Sequence, residues 1–229
     1  MEQSAIKIKY IRSYHLPYSQ GVQSDDKIIE TLEYFEDEEV VVSEKLDGEC
    51  TTCYTDGYHA RSLDSVYNFT RSWVATMHSC MRFLIPNDIK LVGENLWGKH
   101  TIGYPDNYLE GYFYLFSVWQ DLEDGTDFCL DYDSIIEYAN KLDLPTPKVL
   151  YRGIYSEKIL KELAANIDTD VMEGFVVRTV KGFRREDSTK YLAKWVRKDH
   201  VQINSEHWLK NVEKNGELNS NTKPSYMKK

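Results

Sequence analysis

No stretch of this 229-residue chain approaches the roughly 18 consecutive apolar residues that a membrane-spanning helix needs. Its start, M-E-Q-S-A-I-K-I-K-Y, also lacks the apolar segment of a secretory leader, so a cytoplasmic protein with no membrane partner is expected. Several signatures are missing as well. The sequence has no G-x-x-x-x-G-K-[ST] for a P-loop, no G-x-G-x-x-G for a Rossmann site and no G-x-S-x-G for a hydrolase elbow. Cysteine is scarce: Cys50 and Cys53 form one C-x-x-C with no second pair nearby, and Cys80 and Cys129 stand alone. Strand positions three apart point to opposite faces, which favours reduced structural thiols over a zinc or redox centre. No His/Cys/Asp grouping has the spacing of a tight transition-metal site, and His59, His100 and His200 are expected to be structural or superficial.

Positive charge is also in short supply. A net charge of −9 argues against an indiscriminate coat for nucleic acid, whose phosphates are bound through Lys and Arg. The charge is unevenly spread, however. Residues 25–39 hold eight acids and one lysine, whereas residues 178–198 hold eight basic residues against Glu186 and Asp187. That second strip reads either as a solvated charged face or as a local anion-binding surface on an acidic protein.

What is present suffices for one domain with a real core, because 41% of the residues are hydrophobic. Residues 28–36 read as a short helix and Val40–Ser43 as a strand. E-C-T-T-C-Y-T-D-G-Y-H-A-R-S reads as a hairpin turning at Asp56-Gly57. Apolar residues at helical spacing from Phe69 to Leu84 predict a helix stopped before Pro86. I-K-L-V-G-E-N-L and G-Y-F-Y-L-F-S-V-W read as buried strands, D-Y-D-S-I-I-E-Y-A-N-K-L and S-E-K-I-L-K-E-L-A-A-N-I as helices. E-G-F-V-V-R-T-V and K-Y-L-A-K-W-V read as strands, and a last helix is expected over about 200–213. The domain is thus expected to cover 1–213, with 214–229 a polar, flexible tail. Strands and helices mix without a regular βαβ alternation, so an α+β fold of antiparallel sheets flanked by helices is expected.

The stretch V-V-V-S-E-K-L-D-G-E drives an apolar strand straight into Glu44, Lys45, Asp47 and Glu49. A lysine amine is a nucleophile only when part of it is unprotonated, which requires desolvation or neighbouring positive charge. The strand would supply the first, a bound metal–triphosphate the second, and Gly48 would let backbone approach a ligand. Alone, K-x-D-G is a weak signal and reads first as a surface turn. Further along stand Glu94 in G-E-N-L-W-G, Phe116 in F-Y-L-F-S-V-W, Glu173 and Arg178 in E-G-F-V-V-R, and Lys194 in L-A-K-W-V-R-K.

K-x-D-G, an acid, an aromatic strand, E-G-hydrophobic and a strand lysine, in that order over residues 44–198, resemble the covalent nucleotidyltransferases, and among them the ATP-dependent RNA ligases. The resemblance implies that Lys45 attacks the α-phosphorus of ATP to give a lysyl–AMP, which then activates a 5′-phosphate for sealing to a 3′-hydroxyl. It implies that Glu44 positions the adenine, Asp47 lies near the ribose or the amine, and Glu94 binds ribose hydroxyls. Phe116 would stack on the base, and Lys194 would offset charge at the α-phosphate. Glu173 would organise Mg²⁺ (or Mn²⁺) water, and Arg61 would meet the AMP phosphate or the nucleic-acid 5′-phosphate. Two positions depart from the family pattern. Ser117 stands where an acid often follows the aromatic, and one lysine of a K-x-K pair is either missing or replaced through a bulge by Arg197.

Arg178, Arg184, Arg185, Arg197 and Lys198, with Phe183, Tyr191 and Trp195 interleaved, are the candidate RNA surface. Only 31 residues follow Lys198, too few for the oligonucleotide-binding barrel of DNA ligases and capping enzymes. This favours an RNA ligase and leaves room for a separate RNA-binding or end-processing partner. A DNA ligase or capping-type enzyme of the same superfamily, or a non-catalytic nucleotide- or RNA-binding module, is the alternative.

Overall fold

The computed structural model describes residues 5–64, 68–198 and 212–219. Its strands are β1 (Tyr14–His15), β2 (Glu39–Lys45), β3 (Glu49–Tyr54), β4 (Gly57–Ala60), β5 (Ile89–Asn95) and β6 (Phe113–Asp121), followed by β7 (Asp127–Cys129), β8 (Val149–Ile154), β9 (Gly174–Thr179), β10 (Phe183–Arg184) and β11 (Leu192–Val196). The helices are α1 (Ser72–Met81), α2 (Tyr132–Leu142), α3 (Glu157–Asn166) and the single turn α4 (Ser188–Tyr191). They form an α+β fold of two sheets ordered β1-β11-β9-β2-β8 and β10-β7-β6-β5-β3-β4. All pairings are antiparallel except β1 with β11.

Local chemistry explains most elements. The β-branched run Val40–Val42 favours an extended backbone and is fully buried in β2. Asn68 caps the turn before α1 by accepting from the Thr70 N–H (3.1 Å), and Trp73, Met77 and Met81 then stack along one buried face. Asp131 and Ser156 cap α2 and α3 in the same way. One core lies between the six-stranded sheet and α1 and α2, and a second lies between the five-stranded sheet and α3. A third cluster, with Val92, Trp119, Cys129, Phe183 and Leu192, joins the two sheets and borders the cleft between them.

The helix expected at 28–36 is only a 3₁₀ turn, Glu33–Phe35, and Ile28 instead bridges to His15. Acids at 33, 36 and 37 would repel one another at helical spacing, and Asp37 adopts a left-handed φ of 59°. The last expected helix falls mostly outside the described residues, and 212–213 are not helical. Residues 214–219 differ from the expected loose tail. Lys214 bridges to Gly98, Asn215 donates to the Leu96 carbonyl (2.8 Å), and Leu218 is buried in the first core. The interior partners of Asn215 and Leu218 outweigh the polar composition. Among the described residues no helix is long and apolar enough to cross a membrane.

Candidate active site

The cleft holds a cavity of about 240 Å³ walled by both sheets. Lys45 ends β2 opposite Gly174, and the strand alternation puts Ser43, Val176 and Lys194 on the same face. Added to Gly174, a Cβ would lie 2.0 Å from the Trp195 carbonyl oxygen, so a glycine is needed where β9 closes on β11. Gly48 is needed for a similar reason: a Cβ there would meet the Asn95 carbonyl oxygen at 2.5 Å, so its absence lets the turn press against β5.

Lys45 Nζ lies 2.5 Å from Glu173 Oε2, and Glu173 is 1% exposed. Burial alone would pull the amine's pKa down, but Glu173, Glu94 and Asp47 outweigh it and the net direction is up. This corrects the expectation that the strand sinks Lys45 where it sheds its proton. The pocket holds an ammonium, because the acids arrive with it. Glu94 carries the counterpart strain: burial, with Glu173 and Asp47 adding to it against the pull of Lys45, pushes its carboxyl up to about 8. Its Oε1 accepts the Gly48 N–H (3.1 Å). Asp47 accepts the Ile102 N–H (2.7 Å) while its own N–H donates to the Tyr104 hydroxyl (3.0 Å), so it ties the 98–104 loop to the lysine turn.

The other predicted residues divide sharply. Glu44, Arg61, Phe116, Arg178 and Lys194 all line the cavity. Glu44 Oε1 is buried without a hydrogen-bond partner among the described residues, and burial raises its carboxyl, with Lys148 opposing. Phe116 is the extra residue of a bulge: Val92 faces Ser117 and Gly93 faces Leu115, so Phe116 has no partner and is aimed into the cleft. Ser117 is buried against Cys129 Sγ (3.4 Å), a sulfur to which the buried Arg178 guanidinium also donates (3.6 Å). The cysteines behave as expected of thiols on opposite faces. Cys50 lines the cavity, Cys53 is in the first core, and all four are free.

The strip at 178–198 is not the open basic surface expected from sequence. Arg184 pairs with Asp124 (2.9 Å), Arg185 with Asp127 (2.6 Å) and Lys190 with Asp187 (2.6 Å), and Lys181 pairs with Glu38. Arg178 is buried, donating to the Leu130 carbonyl (2.8 Å) and lying over the Phe183 ring. Trp195 stacks on Phe175 in the second core rather than on a surface. The β9–β11 register runs unbroken from Leu192 to Val196, so no bulge turns Arg197 into the missing lysine's place. Lys198 is exposed.

Sequence reasoning missed Val176, which the register places on the cavity face across the cleft from Phe116 and which period-two counting from Gly174 would have found. It also missed Tyr10, Arg12 and Asp26, which line the cavity from a segment with no motif. Tyr10 sets its ring edge-on to Phe116 at 5.5 Å. His100 stands within the field of Asp47, Glu49, Glu173 and Lys45, though burial lowers its pKa.

Among the described residues no group of three or more His, Cys, Asp or Glu is preassembled as a metal site. The donors near Lys45 are hard carboxylates, which suit Mg²⁺, an ion that keeps several waters and takes few protein ligands.

Among the solved structures that share the fold are three ligases. A candidate ATP-dependent DNA ligase of Aquifex aeolicus superposes with a TM-score of 0.52 at 21% identity, over 82% of this chain and 49% of that one. A variant RNA ligase of Naegleria gruberi without ligand gives 0.51 at 17% identity, over 82% and 58%. An archaeal ATP-dependent RNA ligase gives 0.50 at 14% identity, over 80% and 48%. The chain therefore spans about half the length of these solved relatives. Comparison with curated proteins gives no match. The profile of the RNA ligase family, however, runs from residue 38 to residue 196, from the start of β2 to the end of β11 and so over Lys45, Glu94, Phe116, Glu173 and Lys194, and the chain belongs to that family.

Proposed function

We propose that this domain is an ATP-dependent RNA ligase working through a lysyl–AMP on Lys45. The observation that carries the reading is Lys45 held 2.5 Å from Glu173 at one end of a cavity whose walls include Phe116 and Val176. That ring and that valine would offer a base a sequence-tolerant apolar sandwich. The orphaned Glu44 Oε1 is an acceptor for a base amine.

In the first step the Lys45 ammonium loses one proton, the free amine attacks the α-phosphorus, the bond to pyrophosphate breaks and the nitrogen releases a second proton, leaving a phosphoramidate. A 5′-phosphate oxygen then attacks the same phosphorus, the P–N bond breaks and Lys45 regains a proton. Finally a 3′-hydroxyl attacks the activated 5′-phosphorus and AMP leaves. Lys194 and Arg61 face charge building on phosphate oxygens, where preformed cations are most effective. Glu173 would hold, through waters, a divalent cation, which when bound supplies charge neutralisation at the phosphates, and Glu94 would take the ribose hydroxyls. Positive charge placed beside those acids would offset the field that keeps Lys45 protonated. With the basic strip internally paired, a separate RNA-binding or end-processing partner belongs to the same reading.

Incubation with labelled ATP or GTP and magnesium, followed by denaturing electrophoresis, tests it. Label retained with ATP and lost in Lys45→Ala supports a ligase; retention with GTP instead points to a capping-type enzyme. No covalent label with either nucleotide leaves only a binding module. Sealing of nicked RNA, nicked DNA and single strands then assigns the substrate.

A further inference from the structure

The segment ahead of the family-matched region contributes to the cavity rather than merely leading into it. Tyr10, Arg12 and Asp26 line it. The pairing of β1 with β11 sets His15 beside Lys194, and Asp26 is brought in behind them. Asp26 Oδ1 lies 3.7 Å from Lys194 Nζ, and its Oδ2 lies 3.1 Å from His15 Nε2, a short but poorly aligned electrostatic contact. Asp26 is fixed from its own loop, accepting the Gln23 N–H (3.1 Å) and donating to the Gln23 carbonyl (3.1 Å). His15 Nδ1 lies 2.8 Å from Ser19 Oγ, which accepts the Val196 N–H (2.9 Å). The chain of contacts therefore starts and ends on β11. The side chains of His15 and Asp26 are 1% and 5% exposed.

Each lysine of the cavity thus has its own carboxylate: Glu173 for Lys45 and Asp26 for Lys194. The two pairs differ in tightness, 2.5 Å against 3.7 Å. A tight pair competes with a ligand for its cation, whereas a loose pair keeps the cation charged and aimed while leaving its hydrogens for an incoming oxygen. Burial and the nearby Lys45 both pull the Lys194 pKa down, and Asp26 opposes them.

We propose that Asp26, braced by His15 and Ser19, is a positioning residue that holds Lys194 for the α-phosphate, so that residues ahead of the family-matched region complete the active site. The role rests on the nucleotidyltransferase reading. It predicts a loss in the chemical step with little change in ATP binding, because Asp26 acts through Lys194 and not on the nucleotide.

The test is single-turnover lysyl–AMP formation by the full chain, as a function of ATP concentration, in wild type, Asp26→Asn, Lys194→Ala and the double variant, with thermal unfolding of each. Asp26→Asn is expected to slow the maximal rate about 10-fold with half-saturation by ATP within about 2-fold. In the Lys194→Ala background the same change is expected to cost nothing further. A maximal rate like wild type, or a loss that multiplies with that of Lys194→Ala, overturns the role. If Asp26→Asn does not fold, Asp26→Glu is read by the same cycle. A loss that requires Lys194 supports the role, and one that persists without it, or no loss, overturns it. Absence of label on wild type overturns the nucleotidyltransferase reading itself, and this role with it; label on wild type separates the two failures.

Discussion

The cavity around Lys45 and the strip from Arg178 to Lys198 are both charged, yet they use charge in opposite ways. In the strip, Lys181, Arg184, Arg185 and Lys190 each face a carboxylate, so little positive field is left for a ligand. In the cavity, Glu173, Glu94 and Asp47 crowd one amine, and Glu94 is pushed up to about 8, chiefly by burial and with the neighbouring acids adding to it. Uncompensated charge near a cavity marks a place where something else completes the balance, whereas a dense but paired run does not. Charge density along a sequence is therefore a poor guide to available charge.

The comparison can be broken most easily from the cavity side. Glu173→Gln removes the carboxylate that holds Lys45 and is expected to slow lysyl–AMP formation by on the order of 100-fold or more, measured by quenched-flow labelling. Phe116→Ala takes away the stacking wall and is expected to raise half-saturation by ATP about 10- to 100-fold while leaving the fold intact.

The Glu94 carboxyl, raised from 4.5 to about 8, binds a proton in the folded chain that the unfolded chain releases between those values. Stability must then fall as pH rises through that window, with the full penalty present above about 8. Glu94→Gln is expected to gain about 1 kcal/mol over wild type at pH 8.5, several degrees in Tm, and little at pH 4.5. A Tm difference independent of pH would contradict the assignment. The smallest effect belongs to the strip: Arg184→Ala is expected to leave RNA sealing within about 3-fold at 0.1 M salt, since its charge is already spent on Asp124. A larger drop that shrinks as salt is raised would restore the strip as an RNA surface.

Much of the fold was legible because its signals are local. Val40–Val42, the Asp56-Gly57 turn and the Trp73–Met77–Met81 spacing each declare an element without help from the rest of the chain. The motif residues were legible as a set, since their order survives any uncertainty about packing. Three things were not. The aim of Phe116 depends on a bulge that only the β5–β6 register reveals. The pairing of the basic strip depends on Glu38, Asp124 and Asp127, distant in sequence. The protonated state of Lys45 depends on three acids converging from β5, the β2–β3 turn and the start of β9, where sequence shows only the apolar strand that precedes it.

The most direct measurement is peptide mapping by mass spectrometry after incubation with ATP and magnesium and removal of free nucleotide. The account predicts one AMP adduct, on the peptide containing Lys45, absent without magnesium and absent in Lys45→Ala. An adduct on another lysine, or none on a protein that binds ATP, would contradict it.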